Sequence, residues 1–187
     1  WQKKNVPYLG VNWKCGQEAS IRVIHLVMGA FILDQLEAPT PALINIVTAH
    51  LKRIELTVSY AIGQNNNHGT SEAAALYIGG GFLVKNGYHN GYKWHKKGEN
   101  FLAERVSKLI GKNGTFSQYS LNYHRLMLDT LCCCEFFRDK LNLKLLPDVF
   151  YQKAILATNW LFSIIDSISG DGPNIGANDG AKIIPLT

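Results

Sequence analysis

The stretch GQNNNHGTSEAAALYIGG, residues 63–80, runs three asparagines into a histidine and then turns at once into alanine-rich sequence. Asparagine is a poor helix former and is costly to bury without partners, so a triplet directly ahead of an apolar helix needs a reason. Thr70 or Ser71 offers the side-chain oxygen that caps a helix start, and the spacing predicts a helix over 70–85. Gly79, Gly80 and Gly81 weaken the apolar face of that helix. Two readings of the triplet compete: a capped loop, or amide and imidazole groups aimed at a ligand.

Working outward, apolar residues recur at three and four over 17–36, 41–59, 97–111, 119–140 and 147–168, each a predicted helix. No segment alternates as a strand does, and the turns between helices carry Pro, Gly and Asn. The chain reads as all-α, six helices in three pairs. Polar clusters fall at one place in each pair. NWKCGQE (12–18) precedes the first helix, GQNNNHGTSE (63–72) the third, and GTFSQYSLNYHR (114–125) the fifth; GPNIGANDGA (172–181) follows the sixth. Anchored on Glu18, Ser71, Asn122 and Asp171, they recur about every 50 residues, a length that suits stacked helical hairpins. In such an array every odd helix starts at the same end, so the clusters are expected on one rim, where free N–H groups favour anionic ligands. If the hairpins turn about an axis, they form an incomplete (α/α) toroid with the clusters lining a cleft.

The 187 residues, 47% hydrophobic and 18% charged, suffice for one domain with a sizeable core. No uninterrupted apolar run approaches the roughly 18 residues of a membrane span. The net charge of +5 suits an anionic partner, but the positive residues are scattered. Their densest group, YKWHKKGEN (92–100), reads as a solvated loop. Cys15 stands alone, and Cys132, Cys133 and Cys134 are consecutive; this spacing matches neither a zinc site nor a disulfide scaffold, and buried free thiols are expected. His68 and Glu72 supply only two metal ligands, so no metal site and no cofactor are expected. The chain starts at Trp1 and reads as an excerpt of something longer.

Asn67 and His68 are candidate donors to a carboxylate. In FSQYSLNYHRLMLD (116–129), Tyr119 and Tyr123 stand four apart, on one face of a helix starting near 119, with His124 and Arg125 following. A nearby guanidinium favours a phenolate, a capable general base. Together these groups suit proton abstraction beside a uronate carboxylate, with donors stabilising the enolate-like intermediate, followed by β-elimination. Hydrolysis wants two acids facing across the bond, and Glu18, Glu72 and Asp129 are not obviously paired.

NNNHGTSEAAALYIGG, GTFSQYSLNYHRLMLDTL and GPNIGANDGAKIIPL, with WKCGQEASIR upstream, resemble the heparinase II/III-like family of polysaccharide lyases in order and spacing, over nearly the whole chain. The resemblance implies residues 1–187 to be a fragment of a single (α/α) toroid domain, without the family's C-terminal β-sandwich domain. It implies β-elimination on an anionic, uronate-containing polysaccharide, not nucleic acid. The alternatives are an (α/α)-toroid glycoside hydrolase and a non-catalytic glycan-binding or surface-polysaccharide assembly protein. It assigns catalysis to Tyr123, Asn67 and His68, with Asn67 neutralising the carboxylate. Tyr119, Arg125, His124, Gln17, Glu18 and Arg22 become substrate-side residues, and Asn178 and Asp179 match the family's GxNDG turn with no role attached. A further catalytic histidine or tyrosine comes from beyond residue 187. Many relatives are exported, which implies a periplasmic or secreted protein; relatives in surface-polysaccharide assembly, and the three adjacent cysteines, speak for the cytoplasm instead.

Overall fold

The computed structural model describes residues 1–183, so the last residues of the GPNIGANDGAKIIPL motif lie outside it. Six α-helices follow two short 3-10 turns: α1 (Gly16–Ile32), α2 (Pro41–Gly63), α3 (Asn67–Lys85), α4 (Gly91–Leu109), α5 (Leu121–Lys140) and α6 (Asp148–Ile164). The described residues contain no sheet, only an isolated antiparallel bridge between Ile110 and Phe116. The chain is therefore an all-α protein of antiparallel packed helices. Successive helices pair as hairpins, α1 with α2, α3 with α4, and α5 with α6. The odd helices also pack side by side, α1 on α3 and α3 on α5, while α4 packs on α6. Two rows result, and the odd row carries the polar clusters at its starts.

Local chemistry sets the helix starts. Thr40 Oγ1 accepts from the Leu43 N–H at 3.3 Å and Pro41 occupies the first helical position of α2, where its missing N–H costs nothing. α3 starts three residues earlier than expected, because Asn66 and not Thr70 or Ser71 is its cap: Asn66 Oδ1 accepts from the His68 N–H at 3.0 Å. Thr70 and Ser71 are instead buried inside the helix. The other large difference is α4. YKWHKKGEN is not a loop but its first turns, since Gly91, Trp94 and Gly98 form a buried stripe that the surrounding lysines conceal.

Helix α3 is the centre of the core, with every residue from Gly69 to Leu83 buried. Its glycines do not weaken it; they let neighbours approach on several sides. A Cβ at Gly80 would overlap the His95 backbone nitrogen, one at Gly98 the Tyr77 nitrogen, and one at Gly79 would come within 2.8 Å of Val23 Cγ1. The α3–α4 contact is thus made backbone to backbone, a packing that only hydrogen at Cα permits. Cys133 and Cys134 are buried as expected, but Cys132 is exposed and Cys15 partly so. No helix among the described residues is long and apolar enough to cross a membrane.

Candidate functional site

The asparagine triplet divides its labour. Asn65 turns the chain with φ +52°, a left-handed conformation that asparagine tolerates. Asn66 caps α3, and Asn67 is its first residue. The loop is braced by the buried Arg105 of α4, whose Nη1 donates to the Ile62 carbonyl at 2.8 Å and to Asn65 Oδ1 at 3.1 Å, while its other nitrogens meet Glu104. Among the described residues, neither the Asn67 carboxamide nor the His68 ring is hydrogen-bonded; only their backbones are engaged. Burial pushes the His68 ring below the ordinary histidine range, so it is a neutral imidazole at pH 7.

Hydrogen bonds join the four clusters in succession. Gln17 Nε2 at the start of α1 donates to Ser71 Oγ at 3.2 Å. The Asn67 N–H donates to Gln118 Oε1 at 2.8 Å, and Ser117 Oγ to the Asn65 carbonyl at 3.3 Å, which ties α3 to the approach of α5. The Leu121 N–H donates to the Ile175 carbonyl at 3.0 Å, and Ser120 Oγ to the Ala177 carbonyl, which ties α5 to the C-terminal segment. The clusters therefore share one rim of the odd row.

Tyr123 lies in the first turn of α5, and its hydroxyl donates to Asp179 Oδ2 at 2.6 Å; Asn122 Nδ2 reaches Asp179 Oδ1 at 3.3 Å. This reverses the expected titration. The carboxylate, not the Arg125 guanidinium, is the group that acts on the phenol, and its hydrogen bond raises the Tyr123 pKa above the usual tyrosine value while lowering that of Asp179. At neutral pH Tyr123 is a phenol. Tyr119 does not share its helical face, because Ser120 caps α5 and leaves Tyr119 outside the helix at φ +49°, exposed to solvent.

Other predicted residues disperse. His124 is 1% exposed, its Nε2 donating to the Ala157 carbonyl at 2.9 Å and its ring lying against Trp160, so it joins α5 to α6 and does not meet a ligand at the surface. Gln17 is spent on Ser71. Glu18 is exposed and pairs with Arg22 at 3.8 Å. Arg22 donates to His50 Nε2 at 3.0 Å and to the Asn12 carbonyl, and lines a separate cavity of 250 Å³ with Trp1, His25 and Leu26. Arg125 lines a larger cavity of 590 Å³ between α5, the end of α6 and the segment 169–182.

Sequence reasoning missed Gln118 and Ser120, and attached no role to Asp179. Ser120, standing immediately before LNYHRLML, carries an ordinary cap signal. Asp179 carries none toward a tyrosine 56 positions away. It also missed the state of Glu72. This carboxyl is 3% exposed, lies against Gly16 at the start of α1, and keeps Oε2 without a hydrogen-bond partner. Burial pushes it up to about 7, with Arg53 pulling weakly the other way. Comparison with protein-family models, with curated proteins and with solved structures finds no match to the chain.

Proposed function

We propose that this chain is part of a heparinase II/III-like polysaccharide lyase, an incomplete (α/α) toroid that receives a uronate-bearing polysaccharide at its rim for β-elimination. The observation that carries the reading is the hydrogen-bonded succession of four polar segments along one rim, with the Asn67 amide and the His68 ring left unengaged among the described residues. Asn67 neutralises the sugar carboxylate, which lowers the cost of carbanion character at the neighbouring carbon. The proton there passes to a base, either the neutral imidazole of His68 or the further histidine, or tyrosine as its phenolate, that the family supplies from beyond residue 187. The C–O bond to the leaving sugar breaks as the new C=C bond forms. Tyr123, held as a phenol by Asp179, donates its proton to the departing oxygen. Periplasmic or secreted placement, and an anionic polysaccharide as partner, belong to the same proposal.

The test is an ultraviolet absorbance scan with a panel of uronate polysaccharides, turnover being read in a parent protein that also carries the sandwich domain. Elimination leaves a conjugated, absorbing product, and both Asn67→Ala and Tyr123→Phe should abolish its appearance while Tyr123→Phe still binds. A second reading, glycoside hydrolysis, is favoured by one observation: Asp129 and Asp171 line the same cavity, and burial raises the Asp129 pKa, as a general acid requires. New reducing ends without absorbance, lost in Asp129→Asn and kept in Tyr123→Phe, would select it. Glycan binding with neither product would select a non-catalytic binding protein.

A further inference from the structure

The 590 Å³ cavity is separate from the Asn67–His68 loop and within the size range of small-molecule sites. One wall is apolar, formed by Leu121, Leu161 and Ile165. The other carries Arg125 from α5 and Lys182 from the C-terminal segment, with Asn122, Asn174 and Asn178. Asn178 Nδ2 donates to Asn174 Oδ1 at 2.9 Å and Asn122 Nδ2 to Asp179 Oδ1 at 3.3 Å, so among the described residues Asn122 Oδ1 and Asn174 Nδ2 are the amide groups left open. Two cations from different elements face one space, and among the described residues neither has a carboxylate within ion-pairing distance. The walls are held in place and not draped. The Asp166 N–H donates to the Asp171 carbonyl at 2.8 Å, the Leu121 N–H to the Ile175 carbonyl, and Gly176, at φ +72°, packs directly on the backbone of Tyr119 and Ser120.

We propose that this cavity is a second saccharide subsite, in which Arg125 and Lys182 hold the carboxylate of an acidic sugar and the asparagine amides contact its hydroxyls. The proposal rests on the lyase reading and adds a site to it. A simple inorganic anion is an incomplete occupant, because Asp129 and Asp171 also line the space and it offers them no hydrogen-bond donor. A sugar acid answers all three kinds of group: its carboxylate meets the cations, its hydroxyls donate to the two carboxyls, and the amides do either. The apolar wall takes the C–H face of the ring. The cavity is also adjacent to the proposed chemistry, since Asn122 on its wall and Tyr123 beside it bind the two oxygens of one carboxylate, Asp179. A polymer bound at the rim by one unit thus places a neighbouring unit here, and residue 122 couples the two positions.

The experiment is calorimetric titration of the 187-residue chain with a uronate tetrasaccharide, a neutral tetrasaccharide and inorganic sulfate. Arg125→Gln and Lys182→Gln should each weaken the uronate ligand about tenfold or more, the loss expected for a charge-assisted hydrogen bond. Lys182 is exposed, so its variant reports on binding without disturbing the fold. The neutral sugar should be held more weakly than the uronate and lose little in either variant, and sulfate should not compete. Uronate affinity unchanged in both variants would overturn the subsite, as would sulfate binding equal to that of the sugar or no uronate binding by the wild-type chain. The lyase reading fails separately, on the absence of unsaturated product: a variant-sensitive affinity without that product leaves the subsite standing, and product with insensitive affinity leaves the lyase standing.

Discussion

Replacing Glu72 with glutamine should change how stability depends on pH. The carboxyl is 3% exposed, and its Oε2 has no partner. Arg53 is the nearest compensating charge, but its donors are occupied by the Trp13 and Lys14 carbonyls and by Thr57 Oγ1. Burial therefore lifts the pKa from 4.5 to about 7. Between those values the folded chain holds a proton that the unfolded chain has released, so this group's contribution to stability falls as pH rises from about 4.5 to about 7 and is flat above. A shift from 4.5 to about 7, at roughly 1.4 kcal/mol per unit, makes the loss on the order of 3 kcal/mol. Three histidines act in the opposite sense: burial lowers the pKa of His50, His68 and His124, so the unfolded chain binds their protons more readily and stability is lost as pH falls through their titration. The wild-type profile mixes both effects, and the difference between wild type and Glu72→Gln isolates the carboxyl. Urea denaturation at pH 4.5 and at pH 8, followed by tryptophan fluorescence, is the assay. The glutamine variant should gain about 2–3 kcal/mol relative to wild type between the two pH values, or roughly 1 M or more in urea midpoint. Its buried amide adds a penalty of its own, but one independent of pH, so the change between the two conditions is the quantity to read. Parallel profiles for the two proteins would refute the reasoning and mean that a partner keeps Glu72 ionised.

Asp179→Asn removes the carboxylate that accepts from Tyr123, and the phenol should titrate at lower pH; ultraviolet difference titration against Tyr123→Phe reads this directly, and an unmoved midpoint would sever the pair. Gly98→Ala should destabilise by about 1–3 kcal/mol, measured as a loss in denaturant midpoint, because the new Cβ meets the Tyr77 backbone. The same change at an open helical site stabilises by up to about 1 kcal/mol, so the sign alone tests the close approach. Asn66→Ala should cost about 1 kcal/mol as the α3 cap is lost, with the His68 amide exchanging faster with solvent.

Much of the fold was legible because helices report themselves through apolar spacing and because the polar clusters recur with the hairpin. What periodicity concealed has physical causes. α3 is buried on every side, so it has no polar face to give it a clear stripe, and its glycines look like breakers until the helix they admit is known. α4 hid its start under lysines, although Gly91, Trp94 and Gly98 already stood at helical spacing. At the candidate site, the identity of the gathered segments was readable, but their states were not. Whether Tyr123 is a phenol depends on Asp179, and whether His124 faces a ligand or α6 depends on Trp160 and the Ala157 carbonyl; both answers come from residues dozens of positions away.

Departures from ordinary local rules occur in the polar clusters and outside them, since Tyr8, Asp34 and Asn142 also take left-handed backbone conformations. Asn65 and Tyr119 take left-handed backbone conformations on the loops leading into α3 and α5, and a tyrosine there costs on the order of 1–2 kcal/mol. Gln17 Oε1 and Glu72 Oε2 are buried without partners at the starts of α1 and α3. Of the remaining orphans, Tyr77 Oη is buried in the α3–α4 contact and His124 Nδ1 at the α5–α6 contact, where side chains already enclose them. Under the proposed reading, Gln17 and Glu72 border the rim that carries Asn67 and His68, and Glu72→Gln tests whether the unpartnered carboxyl serves that rim: turnover should fall in the variant if it does and stay unchanged if Glu72 is only packing.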